Sequence, residues 1–406
     1  MLGLQGIEVE DIELSANNEL IIRVRSVADE CHCHRCGKPT GHYHGLGQEI
    51  KLRHLPVFGY KTYIVIKPKR YQCQACDGKP TTTQVLEWYA PKSHFTKAYE
   101  QDVMLSLVNS TIQDVSIKHD IGEGAIEGIL DRHIQPSVDW GKIKSLEVVG
   151  VDEIALKKGH RDFVVIVSAY IQGKLMVLGI LPDRTKATVK AFFMSIPKRL
   201  RKTVVAVCSD LYQGFINAAK EVFGKRVAVC ADRFHVAKLY REGLDSLRKK
   251  EMKRLKKELS EAEYKSLEKV LWLVRKPFDE LTSDERHTLN RLFRHSPKIR
   301  EAYELCATLT SIYDSPISKG SGKRRMKGWM RRVANSGLTC FNRFLKTLET
   351  HMEEITNYFI DRRSSGFVEG LNNKIKVLKR RCYGITNCGR LFQRLCLDLQ
   401  GYAMFL

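Results

Sequence analysis

Three acidic residues, far apart in the sequence, could together hold divalent cations. Asp152 and Asp210 each follow an apolar run typical of a buried strand, and Glu369 lies in a predicted helix over residues 366–381. Carboxylates that lie close together repel each other unless a cation neutralises them. Two Mg²⁺ or Mn²⁺ ions held in this way can activate an attacking oxygen and stabilise a leaving oxygen in phosphoryl transfer. Each acid alone is better explained as an ordinary acid at a strand end or on a solvated helix face, but the three together favour a metal site.

The predicted helix over residues 366–381 has two unlike faces. One face is apolar and can pack on a core; it consists of Val368, Leu371, Ile375 and Leu378. The other begins with Glu369 and becomes polar and then basic, with Asn373, Lys376 and Arg380. An acid that holds metal beside a surface that binds phosphates would have this pattern, so we predict that the last three residues contact DNA. The alternative is an amphipathic surface helix with a solvated charged face.

The two aspartates need a sheet that brings them together. The segment 141–232 predicts three strands, a helix, a strand, a helix and a last strand, over residues 146–151, 162–170, 174–180, 185–196, 203–208, 211–223 and 226–230. This order, with the first three strands antiparallel, is that of the ribonuclease-H-like α/β fold. The first and fourth strands are neighbours in that fold, which would place Asp152 beside Asp210. Glu153 would point to the opposite face of its strand.

Asp232 and His235 follow the last predicted strand and allow two interpretations. Asp232 could approach the metal site and support it through hydrogen bonds, together with His235. It could equally cap the helix that begins there, because aspartate is a preferred N-cap residue. The capping role is favoured here.

The N-terminal residues 1–92 are rich in predicted strands and contain two C-x-x-C motifs. Their cysteines are Cys33, Cys36, Cys73 and Cys76. Two such motifs at this separation are typical of a zinc ribbon, a closed structural site for one Zn²⁺. Cys31 adds a third sulfur beside the first motif and leaves the choice of ligands open. Loop cysteines without metal are the alternative.

The remaining segments are predicted to be helical. Residues 93–140 have a helix-turn-helix outline, with Ser110 or Thr111 as a candidate N-cap, although a plain helical linker is as well supported. Residues 233–363 form a helical insertion, and residues 364–406 return to the catalytic core. Within the insertion, residues 319–332 combine glycine, cations and an aromatic ring, which suits a flexible grip on DNA. The residues proposed for this contact are Lys323, Arg324, Arg325 and Trp329.

Composition narrows the class of protein. The chain has 406 residues, 43% of them hydrophobic, which indicates a globular fold. Its formal net charge of +22 favours a polyanionic partner, although RNA-binding and membrane-surface roles fit the charge equally well. No apolar run is long enough to span a membrane, and the N-terminal residues do not resemble an export signal. Twelve cysteines, mostly scattered, suit a reducing cytoplasm.

Four blocks resemble the ISL-three family of bacterial insertion-sequence transposases. They are Gly-Val-Asp-Glu at 150–153, Ser-Asp-Leu-Tyr at 209–212, Asp-Arg-Phe-His-Val at 232–236, and residues 365–380 with Tyr-Gly-Ile at 383–385. The resemblance covers nearly the whole chain. The most specific parts are Asp-Arg-Phe-His at 232–235 and Glu-Gly-x-Asn-Asn-Lys-Ile-Lys at 369–376. Cys31 departs from the usual first cysteine motif.

The resemblance implies a DDE transposase, with Asp152, Asp210 and Glu369 as the triad that holds two Mg²⁺ or Mn²⁺ ions. Such an enzyme would cut at the ends of a mobile element and join them to target DNA. We would then expect terminal inverted repeats and target DNA as partners, a homodimer or larger assembly when active, and a bacterial, nucleoid-associated location. Two alternatives stay open: a ribonuclease-H-like nuclease without strand transfer, and a catalytically dead regulator that binds DNA or RNA.

Overall fold

The computed structural model describes residues 3–155, 163–362 and 366–406; for Phe367 and Glu369 the backbone alone is described. The chain divides into two compact units, one formed by Met1–Gln135 with Cys396–Leu406 and the other by Pro136–Leu395. None of the helices in the described ranges is both long enough and apolar enough to cross a membrane.

The N-terminal unit begins with β-structure. Its strands are β1 (Ile7–Leu14), β2 (Glu19–Ser26), β3 (Cys31–His32), β4 (Pro39–Thr40), β5 (Tyr43–Leu46), β6 (Ile50–Val57), β7 (Tyr60–Ile66), β8 (Lys69–Gln72) and β9 (Thr81–Thr83). They form a four-stranded sheet in the order β1-β2-β7-β6, a three-stranded sheet β5-β8-β9, and the pair β3-β4. The alternating burial of β2 and β7 places Ile22, Val24, Ile64 and Ile66 in one core.

Three helices complete this unit: α1 (Lys97–Leu107), α2 (Ile112–His119) and α3 (Glu123–His133). Thr111 is the N-cap of α2, and its side chain accepts a hydrogen bond from the backbone N–H of Asp114 at 2.9 Å. The helices share a core with Leu397 and Phe405 from the end of the chain.

The Glu100 carboxylate links α1 to α3. This buried group lies 2.6 Å from the Arg132 guanidinium and 2.9 Å from His133 Nε2, and it accepts a hydrogen bond from the Ser93 hydroxyl at 2.8 Å. Burial alone would raise the pKa of Glu100, but the hydrogen bonds from His133, Arg132 and Ser93 outweigh it and lower the pKa below its usual 4.5.

We expect Glu100→Gln to destabilise the α1–α3 contact by about 1.5–3 kcal/mol at neutral pH, because hydrogen bonds to a charged group are lost. The folded pKa is depressed, so this stability is present above about pH 4.5 and is lost as the pH falls through the folded pKa. Urea unfolding at several pH values, together with hydrogen exchange of the α1 and α3 amides, measures this stability. A difference from the wild type that is the same at pH 7 and in strong acid would contradict the assignment.

The second unit contains a five-stranded sheet in the order β12-β11-β10-β13-β14. Its elements are β10 (Val148–Ala155), β11 (Phe163–Ile171), β12 (Lys174–Leu181), α4 (Lys186–Ser195), α5 (Lys198–Arg201), β13 (Ala206–Ser209), α6 (Gln213–Phe223) and β14 (Ala228–Ala231). The first three strands are antiparallel, and β13 and β14 join them in parallel. The predicted adjacency of the first and fourth strands is therefore confirmed.

Two predicted strand boundaries need correction. β10 continues through Asp152 to Ala155, because it stays paired with β11 as far as Ala155 and Phe163. Asp152 thus lies inside the strand rather than after its end. β13 begins only at Ala206, three residues later than predicted. Asp210 does follow the end of its strand.

The described residues that follow β14 are largely helical. The helices are α7 (Arg233–Glu258), α8 (Glu261–Lys265), α9 (Val270–Leu273), α10 (Ser283–His295), α11 (Pro297–Asp314), α12 (Lys319–Ser336), α13 (Asn342–Thr356), α14 (Gly366–Arg381) and α15 (Cys388–Phe405). The helices of the insertion pack around their own apolar core.

The predicted flexibility of residues 319–332 and the predicted base stacking by Trp329 are wrong, because this stretch lies within α12. Trp329 is 1% exposed, and its indole N–H donates to the carbonyl oxygen of Leu305 at 2.8 Å, so its ring has no free face for a base. A Cβ at Gly322 would lie 2.5 Å from the ring of Phe359. This glycine therefore permits close packing rather than flexibility.

Candidate active site and zinc centre

Three aspartates follow the same register position on three neighbouring parallel strands. Val151 of β10 pairs with Ser209 of β13, and Ser209 pairs with Ala231 of β14. The next residues are Asp152, Asp210 and Asp232, which form what we call the acid row. The backbone N–H of Asp232 donates to the carbonyl oxygen of Ser209 at 2.8 Å, so the alignment continues past the end of the strands.

The surroundings of the acid row disfavour the ionised forms of Asp152 and Asp210. Burial raises the pKa of Asp152, and the charge of Asp232 raises it further. Burial likewise raises the pKa of Asp210, to which the charge of Asp152 adds. A divalent cation would remove both the desolvation cost and the repulsion. The donor set thus fits Mg²⁺ or Mn²⁺, which prefer carboxylate oxygens.

The two carboxylate oxygens of Asp232 contact different groups. One carboxylate oxygen accepts from the backbone N–H of Phe234 at 2.7 Å and caps α7, as the capping interpretation predicted. The other lies 3.0 Å from His235 Nδ1. That hydrogen bond raises the pKa of His235, and the charges of Asp152 and Asp210 act in the same direction. The His235 side chain therefore interacts favourably with all three carboxylates of the acid row.

The sequence contains a signal for Asp232 beside the other two aspartates, which the favoured capping interpretation missed. Residues 205–210 read Val-Ala-Val-Cys-Ser-Asp, and residues 227–232 read Val-Ala-Val-Cys-Ala-Asp. Two nearly identical strands that end in the same acid, each followed by a helix, predict adjacent parallel strands with matching ends. Asp232 would then stand beside Asp210.

The helix α14 lies against β10 through Asn372, which sequence reasoning also missed. The Asn372 side-chain amide donates a hydrogen bond to Asp152 Oδ2, and this bond favours the charged carboxylate. Its own Oδ1 is buried and has no hydrogen-bond partner among the described residues. Glu369 is one turn earlier on α14, and its side chain lies outside the described part. The Lys379 ammonium donates to the carbonyl oxygen of Ala155.

The two faces predicted for α14 are present in the structure. Its apolar residues Val368, Leu371, Ile375 and Leu378 are all at most 1% exposed. Asn373, Lys376 and Arg380 are exposed, as a surface that binds phosphates requires. On α12, Arg324 and Arg325 are also exposed, whereas Lys323 is in an ion pair with Glu353.

The zinc centre is formed by four sulfur atoms that lie within 4.8 Å of one another, those of Cys33, Cys36, Cys73 and Cys76. Backbone N–H groups of Cys36 and Arg35 lower the pKa of Cys33 to about 6, while hydrogen bonding to Cys36 raises the pKa of Cys76 to about 12. Four thiols this close cannot all ionise without a cation, and the set fits structural zinc. Cys31 lies in β3 and is outside this group.

Comparison with known proteins identifies the class of protein to which the chain is similar. Residues 149–395 match a family model described as transposase. Residues 29–76 match a model described as zinc-finger of transposase IS204/IS1001/IS1096/IS1165. Residues 84–134 match a model described as helix-turn-helix domain of transposase family ISL3. The chain is 26% identical to the transposase for insertion sequence element IS1001 of Bordetella parapertussis, covering 99% of this chain and 97% of that protein. It is 22% identical to the transposase for IS1557 of Mycobacterium tuberculosis, covering 98% and 93%.

The fold, the zinc ribbon and these matches define a DNA transposase of the DDE type. Because the catalytic family model covers more than half of the chain, the chain belongs to transposase family ISL3. The helix-turn-helix match decides between the two interpretations of residues 93–140 in favour of a DNA-binding module.

Proposed function

We propose that this transposase cuts the phosphodiester bonds at the ends of an insertion sequence and transfers the freed 3′ ends into target DNA. The catalytic core would be ribonuclease-H-like, since its strand order and its mixture of antiparallel and parallel pairs are those of that fold. The supporting observation is the adjacency of Asp152 and Asp210, with the helix that carries Glu369 hydrogen-bonded to Asp152 through Asn372.

In the proposed site, Asp152, Asp210 and Glu369 hold two Mg²⁺ or Mn²⁺ ions, which would stabilise the charge that develops on the attacking and leaving oxygens. Asp232 orients the His235 ring through the contact with Nδ1 and raises the pKa of His235. Asn372 donates to Oδ2 of Asp152, and the backbone N–H of Glu153 donates to Oδ1 at 2.8 Å, so both oxygens of this ligand are held in position. The exposed basic face of α14 would hold the DNA backbone next to the row.

The other modules would supply recognition. The zinc ribbon and helix-turn-helix would bind the terminal inverted repeats, since a helix-turn-helix reads base edges in the major groove. Pairing two ends of one element requires two such modules, so we propose a homodimer or larger assembly when the enzyme is active.

The test uses a supercoiled plasmid that carries the inverted repeats flanking the gene. Wild type with Mg²⁺ or Mn²⁺ should cut at the repeat ends and join them to a second DNA, whereas Glu369→Gln should do neither. Cleavage without joining would replace the transposase proposal with a nuclease. Binding without cleavage in both proteins would reject the proposed active site.

A second expected result concerns Asn372. Asn372→Leu preserves the approximate volume but removes the N–H donor that favours ionised Asp152, so the pKa of Asp152 should rise further. We expect metal affinity to fall about 10- to 100-fold, as when other groups that orient metal ligands are removed. The rise of cleavage rate with pH should also move to higher pH. Rates measured across Mg²⁺ concentration and pH test both effects.

Asn373→Ala is the matched control, because the two asparagines are adjacent but only Asn372 is buried against Asp152. It should weaken DNA binding without moving the pH profile. Equal pH profiles for wild type and Asn372→Leu would reject the positioning role.

A further inference from the structure

A cavity of 690 Å³ adjoins the acid row. Asp232 forms part of its wall, and so does Gly366, which begins α14 three residues before Glu369. The same cavity extends along α7 to Arg275, which follows α9 in the insertion. It thus connects the proposed reaction centre with the helical insertion.

One wall of the cavity is a stripe along α7. Phe234, Lys238 and Arg241 are four and three residues apart and therefore share one helix face. Phe234 is 64% exposed, although the nearby residues Ala231 and Asp232 are buried. Lys238 and Arg241 are exposed as well. An exposed phenyl ring at the wall of a cavity beside a reaction centre is available to stack on a planar group.

The charge of the cavity is suited to phosphate. Within the described ranges, neither Arg241 nor Arg275 is in an ion pair; Arg275 lies 5.4 Å from the centre of the Trp272 ring. Each acid of the wall has a partner: Asp245 is 2.8 Å from Arg248 and 2.9 Å from Lys249, Asp232 is 3.0 Å from His235 Nδ1, and Glu242 is 3.9 Å from Lys238. Arg241 and Arg275 therefore bring positive charge to the cavity wall, and Arg241 is on the same face of α7 as Phe234.

The size of the cavity selects the kind of ligand. Pockets of about 300–1,000 Å³ hold small molecules, and a single nucleotide is in that class. A double helix, whose major groove alone is about 12 Å wide, cannot enter it. An aromatic ring with adjacent cations is the combination that binds unpaired nucleotides through stacking and phosphate contacts.

We propose that this cavity takes one nucleotide that leaves the DNA duplex next to the cleaved phosphodiester bond. Its base stacks on Phe234, and its phosphates are held by Arg241 and Arg275. This inference rests on the proposed function, and it adds that the enzyme locally unpairs its substrate before it cuts. The unpairing costs a few kcal/mol, which the stacking and phosphate contacts offset.

The experiment compares wild type with Phe234→Ala on transposon-end DNA that lacks a single base, placed in turn at each position around the cut. On intact DNA the variant should cleave about 5- to 100-fold more slowly than wild type, because one base loses its stacking partner. On DNA that lacks the base that the cavity would bind, the cleavage rates of the two proteins should differ by less than about twofold. At every other position the full difference should remain.

Phe278→Ala is the matched control, because this ring is also partly exposed in the insertion but does not line the cavity. It should cleave all substrates at the wild-type rate. If Phe234→Ala matches wild type on every substrate, or loses the same factor on all of them, the inference is wrong.

A readout without cleavage separates this inference from the proposed function. 2-Aminopurine placed at the same positions changes its fluorescence when its base leaves the stack. Wild type should change the signal at one position on binding, and Phe234→Ala should not. A signal without cleavage would reject the proposed function and keep the nucleotide site, whereas cleavage without a position-specific signal would do the reverse.

Discussion

Asp152→Asn and Asp210→Asn should each reduce cleavage at the element ends at least about 1,000-fold. Each change removes a charged ligand from the proposed metal site, and a loss of about 4 kcal/mol of charge stabilisation corresponds to that factor. The folded proteins should be at least as stable as wild type in the absence of metal, because burial and mutual repulsion raise the pKa of both acids. Cleavage rates and thermal unfolding with and without Mg²⁺ measure the two effects. Only the wild type should gain full stability from the metal.

Glu153→Gln is the control for these variants. Glu153 is the next residue on β10, but its carboxylate lies 3.1 Å from Arg184 rather than in the acid row. The variant should retain cleavage within about threefold, as expected when a half-exposed ion pair is broken. Loss of activity equal to that of Asp152→Asn would mean that general negative charge at this edge matters, rather than the acid row.

Removal of zinc should unfold the ribbon and abolish specific binding of the element ends. Structural zinc sites contribute about 10–16 kcal/mol of apparent binding energy to small domains. The small β3-β4 pair and the short β5-β8-β9 sheet offer little core of their own. Cys36→Ser or a strong chelator should therefore release the metal, which zinc content, hydrogen exchange of residues 29–76 and DNA-binding assays would each detect.

The Cys31→Ser variant tests whether Cys31 is a zinc ligand. Cys31 is in the same segment, but its sulfur is outside the group of four. This variant should retain one zinc ion per chain and bind DNA like the wild type. Zinc loss in Cys31→Ser, or retention in Cys36→Ser, would show that the ligand set includes Cys31.

The local features of the sequence predicted much of the architecture. Periodicity alone indicated the two faces of α14, because burial on one side of a helix imposes a period of about 3.6 residues. The cysteine motifs predicted the zinc centre, because each C-x-x-C turn presents two sulfur atoms to one ion. The strand order predicted that β10 and β13 are neighbours, since the connections of such sheets are restricted.

The incorrect predictions for Trp329 and for the end of β10 have one physical cause, which is contact with segments that are distant in the chain. Trp329 lies in a glycine-rich, basic stretch, and composition cannot reveal that one face of α12 packs on the insertion core. The end of β10 was misplaced because pairing with β11, rather than the composition of β10, extends it past Asp152.

The sequence by itself determined which residue types were available for chemistry: the aspartates, the cysteine pairs and the basic face of α14. Only the tertiary structure decided which of them meet. Asp232 joins Asp152 and Asp210 because two parallel strands end in register, and Asn372 reaches Asp152 because α14 packs on β10. Contacts between residues distant in the chain depend on strand register and helix packing, which are set by the whole core and not by neighbouring residues.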